Sequence, residues 1–145
     1  MKLIKFFIMF FIFTLSFTYC RKTKLEITEA GFPKEYKGYS YEGNYGGVVG
    51  IYGKGSDYKL VIEGLGDATL NNEQKETVDK IYNTVGKEGI GKALEALSKS
   101  DGNNTEEVVN KIIGDAQVSE TKKQEIEKLI KENFGNGKSL QFNSQ

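Results

Sequence analysis

Tyrosine is the most crowded chemical group in this sequence. Six of the eight tyrosines fall between Tyr36 and Tyr58, interleaved with glycine, serine and asparagine. That mixture suits recognition, because tyrosine offers a large amphipathic contact at low entropic cost and the small polar residues adapt around it. It suits a small β-sheet equally well, since aromatic residues favour strands and stabilise them in cross-strand pairs. Both uses are open at this level. Under the first, Tyr36, Tyr39, Tyr41, Tyr45 and Tyr52 form the candidate binding surface.

Catalytic chemistry has little to work with. The chain has no histidine and one cysteine. Without histidine there is no side chain whose ordinary pKa lies near 7, and Ser-His or Cys-His nucleophile pairs cannot be built. Zinc sites depend mostly on Cys and His, so no metal centre is expected, nor any cofactor. Carboxylates such as Asp57, Glu63 and Asp67 would serve only a remote enzymatic reading.

Four glycine-rich or acidic stretches resemble ligand loops and fail on spacing. "GGVVGIYGKGS" has Val48 where a P-loop needs glycine and Gly55 after Lys54, where it needs Ser or Thr. "ENFGNGKS" has Glu132 at the first glycine position and no helix after it to hold phosphate. "GLGDAT" lacks the third glycine of a dinucleotide loop, with Thr69 in its place. "DGNNTEEVVNKI" starts like a calcium loop, but Glu106 and Ile112 replace its essential Gly and Glu.

The lone cysteine sits at the end of an apolar run. Lys2 and Lys5 make a basic start, and Phe6–Phe17 is almost wholly apolar, holding six of the nine phenylalanines. This matches a secretory signal, with a positive n-region before an apolar h-region of about 7–15 residues. A lone cysteine in an exported chain has no internal partner, so it pairs between chains, stays free or is modified. Residues 1–20, with Leu15, Ser16 and Cys20, resemble the signal of bacterial lipoproteins, spirochaetal ones in particular. Tyr19 stands where most members have a small residue, a departure that the spirochaetal members tolerate. The resemblance implies cleavage before Cys20 and attachment of palmitate-type acyl chains there. Residues 1–19 would then be the signal peptide and 20–35 a lipidated tether or arm, with Arg21–Lys24 at the headgroups. The residues themselves also admit a cleaved secreted chain, with Ser16 and Thr18 at the cleavage site, or an uncleaved membrane anchor. Two or three acyl chains suffice for stable anchoring, whereas one binds only marginally.

Without Lys2 and Lys5 the remaining chain carries 18 basic and 20 acidic residues. That balance excludes a nucleic-acid binder that works by neutralising many phosphates. Arg21 is the only arginine, so bidentate guanidinium forks are absent from the rest of the chain.

The elements that must position the tyrosines follow from pattern. Residues 36–65 read as a three-stranded meander. Tyr39, Tyr41 and Tyr45 occupy odd positions and are expected on one face. Val48–Tyr52 and Tyr58–Glu63 supply the other strands, with a turn at Gly53–Asp57. Helices follow: one from Asn71 or Asn72 to Val85, closed by Gly86, then Lys87–Lys99. A third opens at an Asn104–Glu107 capping box and runs through Ile113, and the last runs from Ser119 to Phe134. The expected fold is α+β, a small antiparallel three-stranded meander followed by three or four packed amphipathic helices. It forms a single domain over 36–135 with a flexible tail at 136–145.

The resulting expectation is a lipid-anchored envelope protein at the outer-membrane surface. It would be a non-enzymatic binding or adhesion module for a macromolecule, with membrane lipid and a protein ligand as partners. The alternative is a periplasm-facing structural or inhibitory lipoprotein.

Overall fold

The computed structural model describes residues 26–114 and 116–144. Cys20 and the signal-like run therefore lie outside the described residues. The chain divides into two compact units, Met1–Lys34 and Glu35–Gln145.

Within the first unit, residues 26–34 close into a tight turn. Ile27 bridges Pro33 in antiparallel fashion. The Gly31 N–H donates to the Thr28 carbonyl at 2.9 Å, and the Phe32 N–H to the Thr28 hydroxyl at 3.1 Å. Lys34 pairs with Glu26 at 3.4 Å. The described part of the expected tether or arm is thus a folded turn.

The second unit opens with five antiparallel strands in sequential order: β1 (Glu35–Tyr36), β2 (Tyr39–Tyr45), β3 (Val49–Lys54), β4 (Asp57–Ile62) and β5 (Gly66–Leu70). The expected three-stranded meander is corrected to a curled five-stranded sheet, a half-barrel. The two added strands have plain reasons for escaping pattern reading. β1 has only two residues, too few to alternate. β5 does alternate, but one of its two faces carries Asp67, a charge where a buried strand is expected to show an apolar residue.

A β-bulge in β2 corrects a second expectation. Tyr41 pairs with Tyr52, and Gly43 with Ile51, so Glu42 is an extra residue in the ladder. One inserted residue reverses the alternation beyond it. Tyr39 and Tyr41 therefore share the face of Tyr52, whereas Tyr45, opposite Val49, points to the other face.

That other face is the main core. Tyr45, Val49, Ile51, Leu60, Ile62, Ala68 and Leu70 join the buried stripes of three helices: α1 (Asn72–Leu97), α2 (Thr105–Ile113) and α3 (Glu120–Phe134). The helical contributors include Val78, Ile81, Ile90, Leu94, Leu97, Ile112, Ile130 and Phe134. α1 starts with a full capping box, in which Asn71 accepts from the Gln74 N–H and the Gln74 side chain accepts from the Asn71 N–H. Gly86, at φ 71° and ψ −173°, is non-helical inside it, so α1 is two helical segments that meet at a kink on the glycine expected to close the first of them. The capping box expected at Asn104 is absent. Asn104 accepts from the Asp101 N–H and donates to the Lys99 carbonyl, closing the preceding loop instead.

The C-terminal segment is packed, contrary to the loose tail expected from sequence. Leu140 is buried in the core, and Asn143 pairs with Asp67 through both backbone hydrogen bonds, at 2.7 and 3.1 Å. The segment runs so close to Gly66 that a Cβ there would lie 1.8 Å from the Asn143 carbonyl oxygen.

Candidate functional site

Register places Tyr36, Tyr39, Tyr41, Tyr52, Lys54, Asp57, Lys59, Asp67 and Thr69 on the sheet face opposite the helices. This face is the inside of the curl. In a flat sheet β1 and β5 would stand about 19 Å apart, at about 4.8 Å per strand. Instead the Tyr36 hydroxyl donates to Asp67 Oδ2 at 2.8 Å, which requires the sheet to bend around this face.

Tyr52 fills the centre and is 0 % exposed. Tyr36 tilts against it with ring centres 5.6 Å apart, and Tyr41 meets it edge-on at 5.7 Å. Such offset and edge arrangements favour aromatic pairs beyond the area they bury. Burial pushes the Tyr52 phenol above its ordinary pKa, and the neighbouring Tyr41 and Tyr36 add to the shift.

Asp67 closes the curl. Its side chain is 1 % exposed. Tyr36 and Lys37 both donate to Oδ2, at 2.8 and 2.7 Å, and Lys59 lies 3.5 Å from Oδ1. Burial by itself would raise the carboxyl pKa. The hydrogen bonds from Lys37 and Tyr36, with the Lys59 charge, outweigh it and hold the group below its ordinary value. The carboxylate is therefore an ionised clasp, unsuited to act as a proton donor near neutral pH. Asp57 and Glu63 are exposed and form no ion pair among the described residues.

The turn end of this face is its open rim. Tyr39 is half-buried there, with Lys59 Nζ 5.0 Å and Lys54 Nζ 5.9 Å from its ring centre. Lys59 is 14 % exposed and donates to the Thr69 hydroxyl at 2.9 Å, which fixes its ammonium. Lys54 is exposed and forms no ion pair among the described residues.

The five candidate tyrosines are thus divided. Tyr36, Tyr39 and Tyr41 are half-buried on the inner face, and Tyr52 lies beneath them. Tyr45 belongs to the helix side. It is 4 % exposed, packs on Tyr82 and donates to Asp79, which Lys75 also holds at 2.9 Å. Tyr45 and Tyr52 are therefore core residues and leave the candidate surface. Sequence reasoning overlooked Lys54 and Lys59, whose period-2 relation to Tyr52 and Asp57 would have put them on the tyrosine face.

Among the described residues, no group of three or more Cys, Asp and Glu side chains could hold a metal ion, and no helix is long and apolar enough to cross a membrane. Comparison of the chain with protein-family models, curated proteins and solved structures gives no match.

Proposed function

We propose that this chain is a lipid-anchored protein of the cell envelope, displayed at the outer-membrane surface, that binds a macromolecular ligand without transforming it. The anchoring half of this reading is supported by the basic start, the apolar run and Cys20 at its end. The binding half is carried by one observation: Tyr39 stands half-buried at the open rim of the curled sheet with the ammonium groups of Lys54 and Lys59 over its ring. A solvent-reachable aromatic ring flanked by positive charge is the chemistry of a contact surface. An ionised Asp67, its Oδ2 taken by Tyr36 and Lys37, favours binding over acid–base work at the same face.

The test is retention of the full chain on an array of extracellular-matrix proteins and glycans. The reading predicts retention on at least one element of the array, with about tenfold weaker binding for the pair Tyr39→Ser and Lys54→Ala, as for loss of central contact residues. No retention, or equal retention by the folded double variant, overturns it.

A further inference from the structure

We propose that the Tyr39 rim holds a tetrahedral oxyanion, a sulfate or phosphate group carried by the ligand. The inference rests on the binding reading above and names the chemistry of what is bound. Two like charges, Lys54 and Lys59, are gathered over one ring, at 5.9 and 5.0 Å from its centre. The nearby carboxylate does not answer both. Asp67 Oδ2 is already taken by Tyr36 and Lys37, and Oδ1 meets Lys59 only at 3.5 Å, well beyond the 2.7–2.9 Å of a strong charge-assisted bond. Asp57 stands opposite Lys54 in register on the same face, yet forms no ion pair with it.

A hydroxyl stands beside one of these ammonium groups. Thr69 Oγ1 accepts from Lys59 and keeps its own hydrogen to give. Lys54 and Lys59 add ammonium hydrogens on either strand of the β3–β4 hairpin, over the Tyr39 ring. These donors come from the end of β3 and from the paired residues Lys59 of β4 and Thr69 of β5, so the sheet sets the backbone positions from which they reach a ligand. The donor type selects among anions. Planar carboxylates are best held by an arginine fork, and no arginine lies among the described residues. Separate ammonium groups and hydroxyls suit the radial lone pairs of a tetrahedral oxyanion.

The experiment titrates the full 15N-labelled chain, in nonionic detergent micelles at low ionic strength, with inorganic sulfate and inorganic phosphate. Chloride at matched ionic strength is the reference. The proposal predicts saturable shifts centred on Tyr39, Lys54, Lys59 and Thr69, with affinity about tenfold weaker in Lys54→Gln, the loss of one charge-assisted contact. Whichever anion saturates at lower concentration names the ester. Lys54 is exposed, so this variant keeps the fold. Shifts that do not saturate, equal shifts with chloride, or an unchanged affinity in Lys54→Gln overturn the proposal. If the array still retains the chain through Tyr39 while neither anion binds, the oxyanion site fails and the broader binding reading stands.

Discussion

Tyr36 on β1 donates its phenolic hydrogen to Asp67 on β5 across 2.8 Å, so a single side-chain bond joins the first and last strands of the sheet. The same carboxylate takes Lys37 from the β1–β2 turn and Lys59 from β4, while its backbone pairs with Asn143. Curvature of the inner face, burial of Tyr52 and the position of the C-terminal segment all meet at this one residue.

Asp67→Asn should therefore destabilise the domain by about 2–4 kcal/mol. Loss of one partner of a buried charge pair costs about 3–5 kcal/mol, reduced here because Lys37 is half-exposed and can turn to water. Tyr36→Phe should cost about 1 kcal/mol, the usual net worth of one hydrogen bond. Urea unfolding at pH 7 measures both, and a cost below 0.5 kcal/mol for Asp67→Asn, on the order of a surface change, would show that the clasp is not holding the curl.

The clasp also sets the acid limit. The folded pKa of Asp67 lies below its ordinary 3.8, so its contribution is fully present above that value and is lost as pH falls through the lower, folded pKa. Stability of the wild-type chain should fall as pH drops below about 4 with a steeper slope than that of Asp67→Asn. Parallel slopes would contradict this assignment.

Tyr45 gives the opposite sign at alkaline pH. Burial raises its phenol, and the hydrogen bond to Asp79 raises it further. The folded chain keeps a proton that the unfolded chain gives up above about pH 10, so stability should decline as pH rises past that point. Tyr45→Phe should flatten the decline and cost about 1 kcal/mol at pH 7 through loss of the Asp79 bond. Chemical unfolding at pH 8 and pH 10.5 compares the two slopes.

Core and rim should separate cleanly. Leu94→Ala and Ile112→Ala, both in the buried cluster beneath the sheet, should each cost about 2–5 kcal/mol. Tyr52→Ser should cost at least about 3 kcal/mol, the scale of emptying a buried aromatic site. Tyr39→Ser should stay within about 1 kcal/mol, because its ring is partly solvated already. Equal losses at Tyr39 and Tyr52 would make Tyr39 scaffold.

These contrasts mark where the sequence was readable. Hydrophobic spacing exposed the stripes of Val78 and Ile81, of Leu94 and Leu97, and of Ile126 and Ile130, because a helix repeats its buried face every three or four residues. Gly86 marked the break between the two helical segments of α1, where only a glycine takes positive φ at no cost. The inner face was harder. The bulge at Glu42 is marked in residue type only by the adjoining Gly43, one glycine among many in this segment, yet it moves Tyr45 from the face of Tyr41 to the helices. Asp67 misled more strongly, for a carboxylate in a five-residue segment reads as loop until Tyr36, Lys37 and Lys59 are known to surround it. Those partners are 31, 30 and 8 residues away, and only the fold brings them together.

Anchoring at Cys20 has its own chemical test. Metabolic labelling with an alkyne fatty acid should mark the wild-type chain and leave Cys20→Ala unmarked, and the variant should leave the detergent phase on temperature-induced phase separation. Equal partitioning of the two would assign membrane attachment to the apolar run instead.

Display of this rim to the outside of the cell is the claim on which the account turns, and protease shaving of intact cells tests it most directly. Cells expressing the chain are treated with proteinase K, with a periplasmic protein followed as the control for an intact envelope. The account predicts loss of the full-length chain while the periplasmic control survives. A chain that persists until the outer membrane is permeabilised would contradict it and turn the Tyr39 rim toward the periplasm.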